Sequence, residues 1–153
     1  MDASTLHRLS MRHDFDAAAG DLWALLQDFG RIDRWWPSGE AIRIERVVVE
    51  GEGVGMTRHI YNAGFERPIS ERLDFIDAQA RVLKLSIGGE RPAGISHYQA
   101  TGRVESLGEQ RCRLYYDAEF SAGTGDAAPA RTMLETAYTL MFKGLGQTLA
   151  MAH

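Results

Sequence analysis

Residues 54–76, VGMTRHIYNAGFERPISERLDFI, predict two strands joined by a hairpin, with apolar side chains at every second position. Arg58 and Glu71 each lie on the otherwise apolar face of their strand. A turn centred between Gly64 and Phe65 would place Arg58 directly opposite Glu71. Burying two charges costs several kcal/mol per ion, so the pair persists only if each charge satisfies the other or the space beside it is wet. A polar spot inside an apolar interior suggests a pocket.

The alternation continues on both sides of this hairpin, from Ala41 to Phe120. Together with an imperfectly alternating first segment, it predicts seven strands: Leu6–His13, Ile42–Val49, Val54–Tyr61, Pro68–Ile76, Arg81–Ile87, Ser96–Leu107 and Cys112–Phe120. Glycine-bearing or polar breaks separate the strands after Ala41, and no helical pattern interrupts them. We therefore expect hairpin connections and an antiparallel sheet.

A first helix is predicted between the first two strands, because Ala19, Leu22, Trp23 and Leu26 recur at helical spacing. Asp16 can cap this helix, and Gly30 provides a stop. An aromatic-rich turn follows and ends at Pro37. Its residues Trp35 and Trp36 are typical of packing against the sheet, although the mouth of a pocket also favours them.

The last element is a helix from about Ala127 to Met151, a length of about 37 Å. One face of it is predicted to be buried, through a stripe formed by Leu134, Tyr138, Met141, Leu145 and Thr148. Gly144 and Gly146 each cost roughly 1 kcal/mol inside a helix. Close approach of a backbone or a ligand would explain them, and a kink is the alternative.

The composition is that of a globular domain, and we expect one domain spanning residues 1–153. The chain is 44% hydrophobic and 25% charged, with a net charge of -4 and a pI near 5.7, which gives no electrostatic footprint for nucleic acid. There is no apolar leader and no apolar run of about 18 residues, so no transmembrane segment is predicted and a cytoplasmic location is the default. The single cysteine, Cys112, is expected to be an inert, inward-facing thiol.

Two other patterns point to no metal or cofactor. Gly123–Ala128 fits a glycine-rich dinucleotide motif, but no second parallel strand follows it, so we interpret it as the turn that enters the last helix. The five histidines, at positions 7, 13, 59, 97 and 153, have no paired helical spacing. His59 and His97 are expected on the strand faces opposite Arg58 and Tyr98.

Tyr98 and Tyr116 are predicted to face the interior beside small residues such as Ala100, Gly102 and Ala118. Small residues opposite tyrosines would leave volume and direct hydroxyls into it. The alternative is that both are ordinary core tyrosines with hydroxyls at the rim.

Several segments resemble the polyketide cyclase/dehydrase and lipid-transport family of the START-like SRPBCC superfamily, in order along nearly the whole chain. They are Asp21-Leu22-Trp23, Asp28-Phe29-Gly30, Trp35-Trp36-Pro37, Gly55-Met56-Thr57-Arg58, Ser70-Glu71-Arg72-Leu73 with Asp77, the Tyr98 strand, and Tyr116 to Phe120. The resemblance implies an α+β helix-grip fold, in which a curved seven-stranded antiparallel sheet wraps the C-terminal helix around an internal cavity.

A more local similarity links Ser70–Asp77, Gly88-Gly89-Glu90-Arg91 and Tyr98 to the plant abscisic-acid receptors. It implies that Arg58, Glu71 and Tyr98 lie at the polar end of the cavity, with loops 61–68 and 88–95 as gate and latch.

The chain departs from those receptors at four places. The receptor gate, Ser-Gly-Leu-Pro, is replaced by Tyr61-Asn62-Ala63-Gly64, and no ligand-binding lysine occurs in Trp36–Glu40. Ala118 and Gly144 stand where the receptors have a glutamate and an asparagine lining the pocket. Hormone binding and phosphatase control are therefore not carried over, and a bacterial-style relative with a different ligand remains.

Three functions are consistent with the sequence. The first is a binder or carrier of a small hydrophobic molecule with a polar end, such as a lipid or polyketide. The second is a cofactor-independent cyclase or dehydratase, in which Arg58 would polarise a carbonyl while Tyr98 or Glu71 moved a proton. The third is a structural ion pair in a filled barrel, with function resting on an external surface.

Residues predicted to contact the ligand are Arg58, Glu71, Tyr98, Tyr116, Trp36, Tyr61, Leu85, Leu134, Tyr138, Met141 and Leu145. No cofactor and no nucleic-acid partner are expected. The weakly charged last helix and the aromatic turn at Trp35 and Trp36, expected to be exposed, permit a homodimer without requiring one.

Overall fold

Alternating sequence and glycine-bearing turns produce the antiparallel sheet in the computed structural model, which describes residues 5–89, 92–123 and 126–151. The strands are β1 His7–Phe15, β2 Ile44–Glu50, β3 Thr57–Asn62, β4 Ile69–Asp77, β5 Val82–Gly89, β6 Ile95–Gly108 and β7 Arg111–Ala122. Every pairing is antiparallel, in the order β1-β7-β6-β5-β4-β3-β2. The predicted fold class is confirmed.

The segment between β1 and β2 carries the chain from one edge of the sheet to the other. It contains helix α1, Ala19–Gln27, and a 3-10 turn, Phe29–Arg34. A second short 3-10 turn, Pro92–Gly94, precedes β6.

Helix α2, Ala128–Met151, matches the predicted last helix to within one residue. Its buried side includes Leu134, Tyr138, Met141 and Leu145, as the stripe predicted. These side chains join the apolar residues of the sheet and of α1 in one core. Cys112 lies in that core with no exposed surface, as expected for an inert thiol.

The start and stop signals predicted for α1 are wrong. Ala18 precedes the helix with no side-chain cap, so Asp16 does not cap it, and the helix ends at Gln27 before Gly30 is reached. Gly30 is instead required by packing, because a methyl group there would lie 2.8 Å from Val49 Cγ2 on β2.

The aromatic turn is not exposed, contrary to expectation. Trp35 is buried and Trp36 is half-buried. The indole Nε1 of Trp36 donates to the carbonyl of Ile42 at 2.8 Å. The turn therefore offers less apolar surface to a second copy of the chain than its sequence indicated.

The backbone approach predicted for the last helix is confirmed at Gly144. A Cβ there would stand 2.0 Å from the carbonyl oxygen of Trp35 and 2.7 Å from Pro37 Cδ. At Gly146 the nearest neighbour, a ring carbon of Phe15, would be 3.7 Å away, which is ordinary contact. Gly144 thus lets α2 touch the aromatic turn.

The loop predicted as a gate is a tight turn, in which the Phe65 amide donates to the Asn62 carbonyl at 3.2 Å and Gly64 has a φ of 89°. Parts of other predicted features lie outside the described residues: Glu90 and Arg91 of the 88–95 latch, Thr124 and Gly125 of the glycine-rich turn, the first four residues, and His153.

Candidate functional site

A cavity of about 120 Å³ lies between α2, the aromatic turn and the inner face of the sheet. The sheet contributes every second residue of β3, because alternate side chains point to one face. Its lining comprises Ile32, Trp35, Trp36, Ile42, Ile44, Arg58, Ile60, Asn62, Ile69, Glu71, Ile87, Tyr98, Tyr116, Met133, Leu134, Ala137, Tyr138 and Met141.

Most residues predicted to contact a ligand line this cavity, namely Arg58, Glu71, Tyr98, Tyr116, Trp36, Leu134, Tyr138 and Met141. The candidate catalytic groups Arg58, Glu71 and Tyr98 are therefore brought together. Their role in binding or catalysis is a separate question, which the geometry below addresses.

Three other predicted residues do not line the cavity. Tyr61 points away from it, and the Arg46 guanidinium packs 4.0 Å from the centre of its ring. Leu85 and Leu145 are enclosed in the core, at 1% and 0% exposure. Ala118 and Gly144, placed in the pocket by resemblance to the receptors, are likewise packed elsewhere.

The sequence analysis missed Asn62, the other polar residue of β3 on the cavity wall. The signal was available, since Arg58, Ile60 and Asn62 follow one another at period two. Asn62 is 5% exposed, and its Oδ1 is buried without a hydrogen-bond partner among the described residues. A buried carbonyl oxygen left in this state costs about 1–3 kcal/mol.

Arg58 and Glu71 form the predicted cross-strand pair, directly opposite each other in β3 and β4. Arg58 Nε donates to Glu71 Oε1 at 2.8 Å, and Nη2 lies 2.6 Å from the same oxygen. The side chains are 8% and 15% exposed. The pair therefore satisfies itself at the wall of a largely dry site.

The 3-10 turn holds the arginine from its other side. Arg58 Nη1 donates to the carbonyl oxygen of Phe29 at 3.0 Å, and the guanidinium lies 3.9 Å from the centre of the Phe29 ring. A cation over an aromatic face gains further electrostatic stabilisation. These contacts fix the guanidinium in position before any ligand arrives.

Three tyrosines complete the polar side of the cavity. The hydroxyls of Tyr98 and Tyr138 hydrogen-bond to each other, and the Tyr116 and Tyr138 rings meet edge to face at 4.7 Å. Burial is the main cause that raises the pKa of Tyr98, Tyr116 and Tyr138. All three are therefore neutral hydroxyls at physiological pH.

The volume expected opposite these tyrosines is largely filled. A methyl group at Gly102 would lie 3.3 Å from a ring carbon of Tyr116, so the missing side chain makes room for the tyrosine ring. The cavity instead lies between the tyrosine edges, the Arg58–Glu71 pair and helix α2.

The histidines of the sheet lie away from the cavity, as alternation predicted. His59 Nδ1 is 2.7 Å from Ser70 Oγ on the outer face, and the side chain of His97 is 48% exposed. Across residues 5–89, 92–123 and 126–151, no group of three or more His, Cys, Asp or Glu residues could hold a metal ion. In the same ranges, no helix is both long and apolar enough to cross a membrane.

Comparison with known proteins places this architecture in a wider context. A family model described as polyketide cyclase/dehydrase and lipid transport matches residues 7–150. No curated protein sequence matches the chain.

Solved structures share the fold. Norcoclaurine synthase from Thalictrum flavum, solved with dopamine and hydroxybenzaldehyde, is 17% identical with a TM-score of 0.78, covering 99% of this chain and 90% of its own. The protein XoxI from Bacillus cereus is 19% identical with a TM-score of 0.80, covering 95% and 98%. A Thermobifida fusca protein is 26% identical with a TM-score of 0.73, covering 94% and 90%.

Proposed function

Because the chain belongs to the polyketide cyclase/dehydrase and lipid-transport family, we propose that it binds or carries a small hydrophobic molecule inside the cavity. The molecule is held by apolar walls and anchored by a polar end near Arg58, Glu71 and Asn62. The observation that carries this proposal is the buried Asn62 oxygen, which has no partner among the described residues, beside a preorganised ion pair in an otherwise apolar cavity.

The size of the cavity limits the ligand. Pockets for drug-sized ligands are typically about 300–1,000 Å³, so one of about 120 Å³ accommodates little more than a single ring. An engineered cavity of about 150 Å³ in another protein binds benzene. Larger molecules would require the half-buried residues Ile69, Met133 and Ala137 to move.

Geometry favours binding over proton-transfer catalysis. Glu71 accepts from Arg58, and the Tyr98 hydroxyl is shared with Tyr138. No histidine lines the cavity within the described part of the chain. A base committed to a guanidinium is a poor proton acceptor.

The first experiment is ligand-observed NMR with toluene, benzyl alcohol and acetophenone, alongside native mass spectrometry of the purified protein. The key variant is Ala137→Trp, which places a large side chain in the cavity from the half-buried side of α2 and leaves the ion pair intact. We expect wild-type protein to bind at least one probe and Ala137→Trp to lose that binding at least tenfold. Absence of binding by wild type, or unchanged binding by Ala137→Trp, would contradict the proposal.

A second variant tests the polar anchor. Arg58→Met should weaken binding of benzyl alcohol about tenfold, the equivalent of about 1.4 kcal/mol. Its matched control is Arg46→Met, which removes an arginine packed on Tyr61 outside the cavity. Because stranding Glu71 costs about 3–5 kcal/mol of stability, circular dichroism must first establish that Arg58→Met is folded.

A further inference from the structure

The charges on the cavity wall cancel. Among the described lining residues, Arg58 is the cation and Glu71 the anion, and their contacts at 2.8 and 2.6 Å pair them directly. An anionic ligand would have to compete with Glu71 for the guanidinium, and would add a second buried negative charge beside it. Bringing an unpaired charge into such a site costs several kcal/mol.

The polar groups on the wall require both a donor and an acceptor from the ligand. Asn62 Oδ1 can only accept, and it has no donor among the described residues. Arg58 can only donate, and a guanidinium carries more N–H groups than its contacts with Glu71 and Phe29 use. A carboxylate supplies acceptors alone, and an ether or ketone likewise lacks the donor that Asn62 needs.

The neighbouring tyrosines supply no compensating charge. Burial keeps their hydroxyls protonated, so neither an ammonium nor a carboxylate finds an opposite charge there. A neutral hydroxyl, in contrast, both donates and accepts.

On the basis of the proposed function, we infer that the ligand is an uncharged molecule whose buried end carries a hydroxyl group, donating to Asn62 and accepting from Arg58. Alcohols and phenols about the size of one ring form the class that fits. Carboxylic acids and other anions of the same size are excluded by Glu71.

The test compares four molecules that share a ring: phenol, anisole, benzoate and toluene, with affinities measured by ligand-observed NMR at neutral pH. For wild-type protein, we expect phenol to bind at least tenfold more tightly than either anisole, which lacks the donor, or benzoate, which carries a charge. Wild-type protein that binds benzoate or anisole as tightly as phenol would overturn the inference without any variant.

Two variants separate the donor from the charge. Asn62→Leu keeps the volume of the side chain and should remove most of the preference for phenol over anisole. Glu71→Gln keeps the shape of the wall, frees the Arg58 charge, and should raise the affinity for benzoate at least tenfold relative to phenol. A preference for phenol that survives Asn62→Leu, or a benzoate affinity unchanged by Glu71→Gln in folded protein, contradicts the inference.

The outcomes distinguish the two proposals. If toluene binds wild-type protein and phenol gains nothing over it, hydrophobic binding stands and the hydroxyl inference fails. If none of the four molecules binds, the proposed function fails and the inference with it.

Discussion

At the scale of single residues, Gly144 determines how closely α2 can approach the aromatic turn. A side chain there would overlap the Trp35 carbonyl at 2.0 Å and the Pro37 ring at 2.7 Å, and neither is the free end of a flexible side chain. Gly144→Ala should therefore lower the free energy of unfolding by about 3 kcal/mol, as overpacking of a core does. Urea denaturation followed by tryptophan fluorescence measures the change.

Gly146→Ala is the matched control on the same helix. Its methyl group would lie 3.7 Å from Phe15, so no overlap offsets the better helix propensity of alanine. We expect stability to be unchanged or to rise by up to about 1 kcal/mol. Equal losses in both variants would show that helix flexibility, rather than the approach to Trp35, is what glycine provides.

At the scale of elements, charged contacts connect edge strand β1 to β7. Asp14 on β1 lies opposite Arg113 on β7 and accepts its hydrogen bonds at 2.6 and 3.1 Å, while Arg111 donates at 2.9 Å. Chiefly because of the hydrogen bond from Arg113, the pKa of Asp14 is lowered from 3.8 to about 2. A carboxylate stabilised in this way strengthens the attachment of an edge strand.

The lowered pKa gives a definite pH dependence. Because the folded-state pKa lies below the ordinary one, the stabilisation is present above about pH 4 and is lost as the pH falls towards about 2. Asp14→Asn should therefore be less stable than wild type at neutral pH, and the difference should shrink to nothing near pH 2. Urea unfolding across that range measures it.

Asp16→Asn provides the comparison for this titration. The Asp16 side chain is 95% exposed and lies 3.8 Å from Arg111, so solvent screens most of its interaction. Its pH profile should follow that of wild type. A difference between Asp14→Asn and wild type that stays constant down to about pH 2 would rule out the ionised Asp14 contact as its source.

At the scale of the whole molecule, stability is expected to fall from the middle of the sheet towards β2. Strands β6 and β7 pair over almost their whole lengths and alternate buried side chains. Edge strand β2 has no buried residue, and Val48 and Val49 are 40% and 41% exposed. Few buried contacts allow local opening at low free-energy cost.

Hydrogen–deuterium exchange should show this gradient. Amides of β6 and β7 should exchange slowest, and those of β2 at least tenfold faster, on the order of 1.4 kcal/mol less costly to open. Peptide-resolved mass spectrometry of the native protein measures the rates. Uniform protection of all seven strands would mean that the sheet opens only by global unfolding.

The sequence predicted much of the site through the direction of side chains. Period-two alternation is local, so it placed Arg58 opposite Glu71 and turned His59 outward before any tertiary contact was known. The same rule could have identified Asn62. It could not show that the Asn62 oxygen lacks a partner, because that depends on every element packed around it.

Alternation and helical spacing thus determined the strands, the long terminal helix and the inward position of the ion pair, because each depends on a short repeat. Only tertiary packing decided which inward residues border empty space. Leu85 and Leu145 have the same pattern as Leu134, yet they lie in the filled core and Leu134 borders the cavity. Likewise, Tyr98 meets Tyr138 only because α2 crosses the sheet at the distance that Gly144 allows, and the volume left between packed elements is a property of their arrangement.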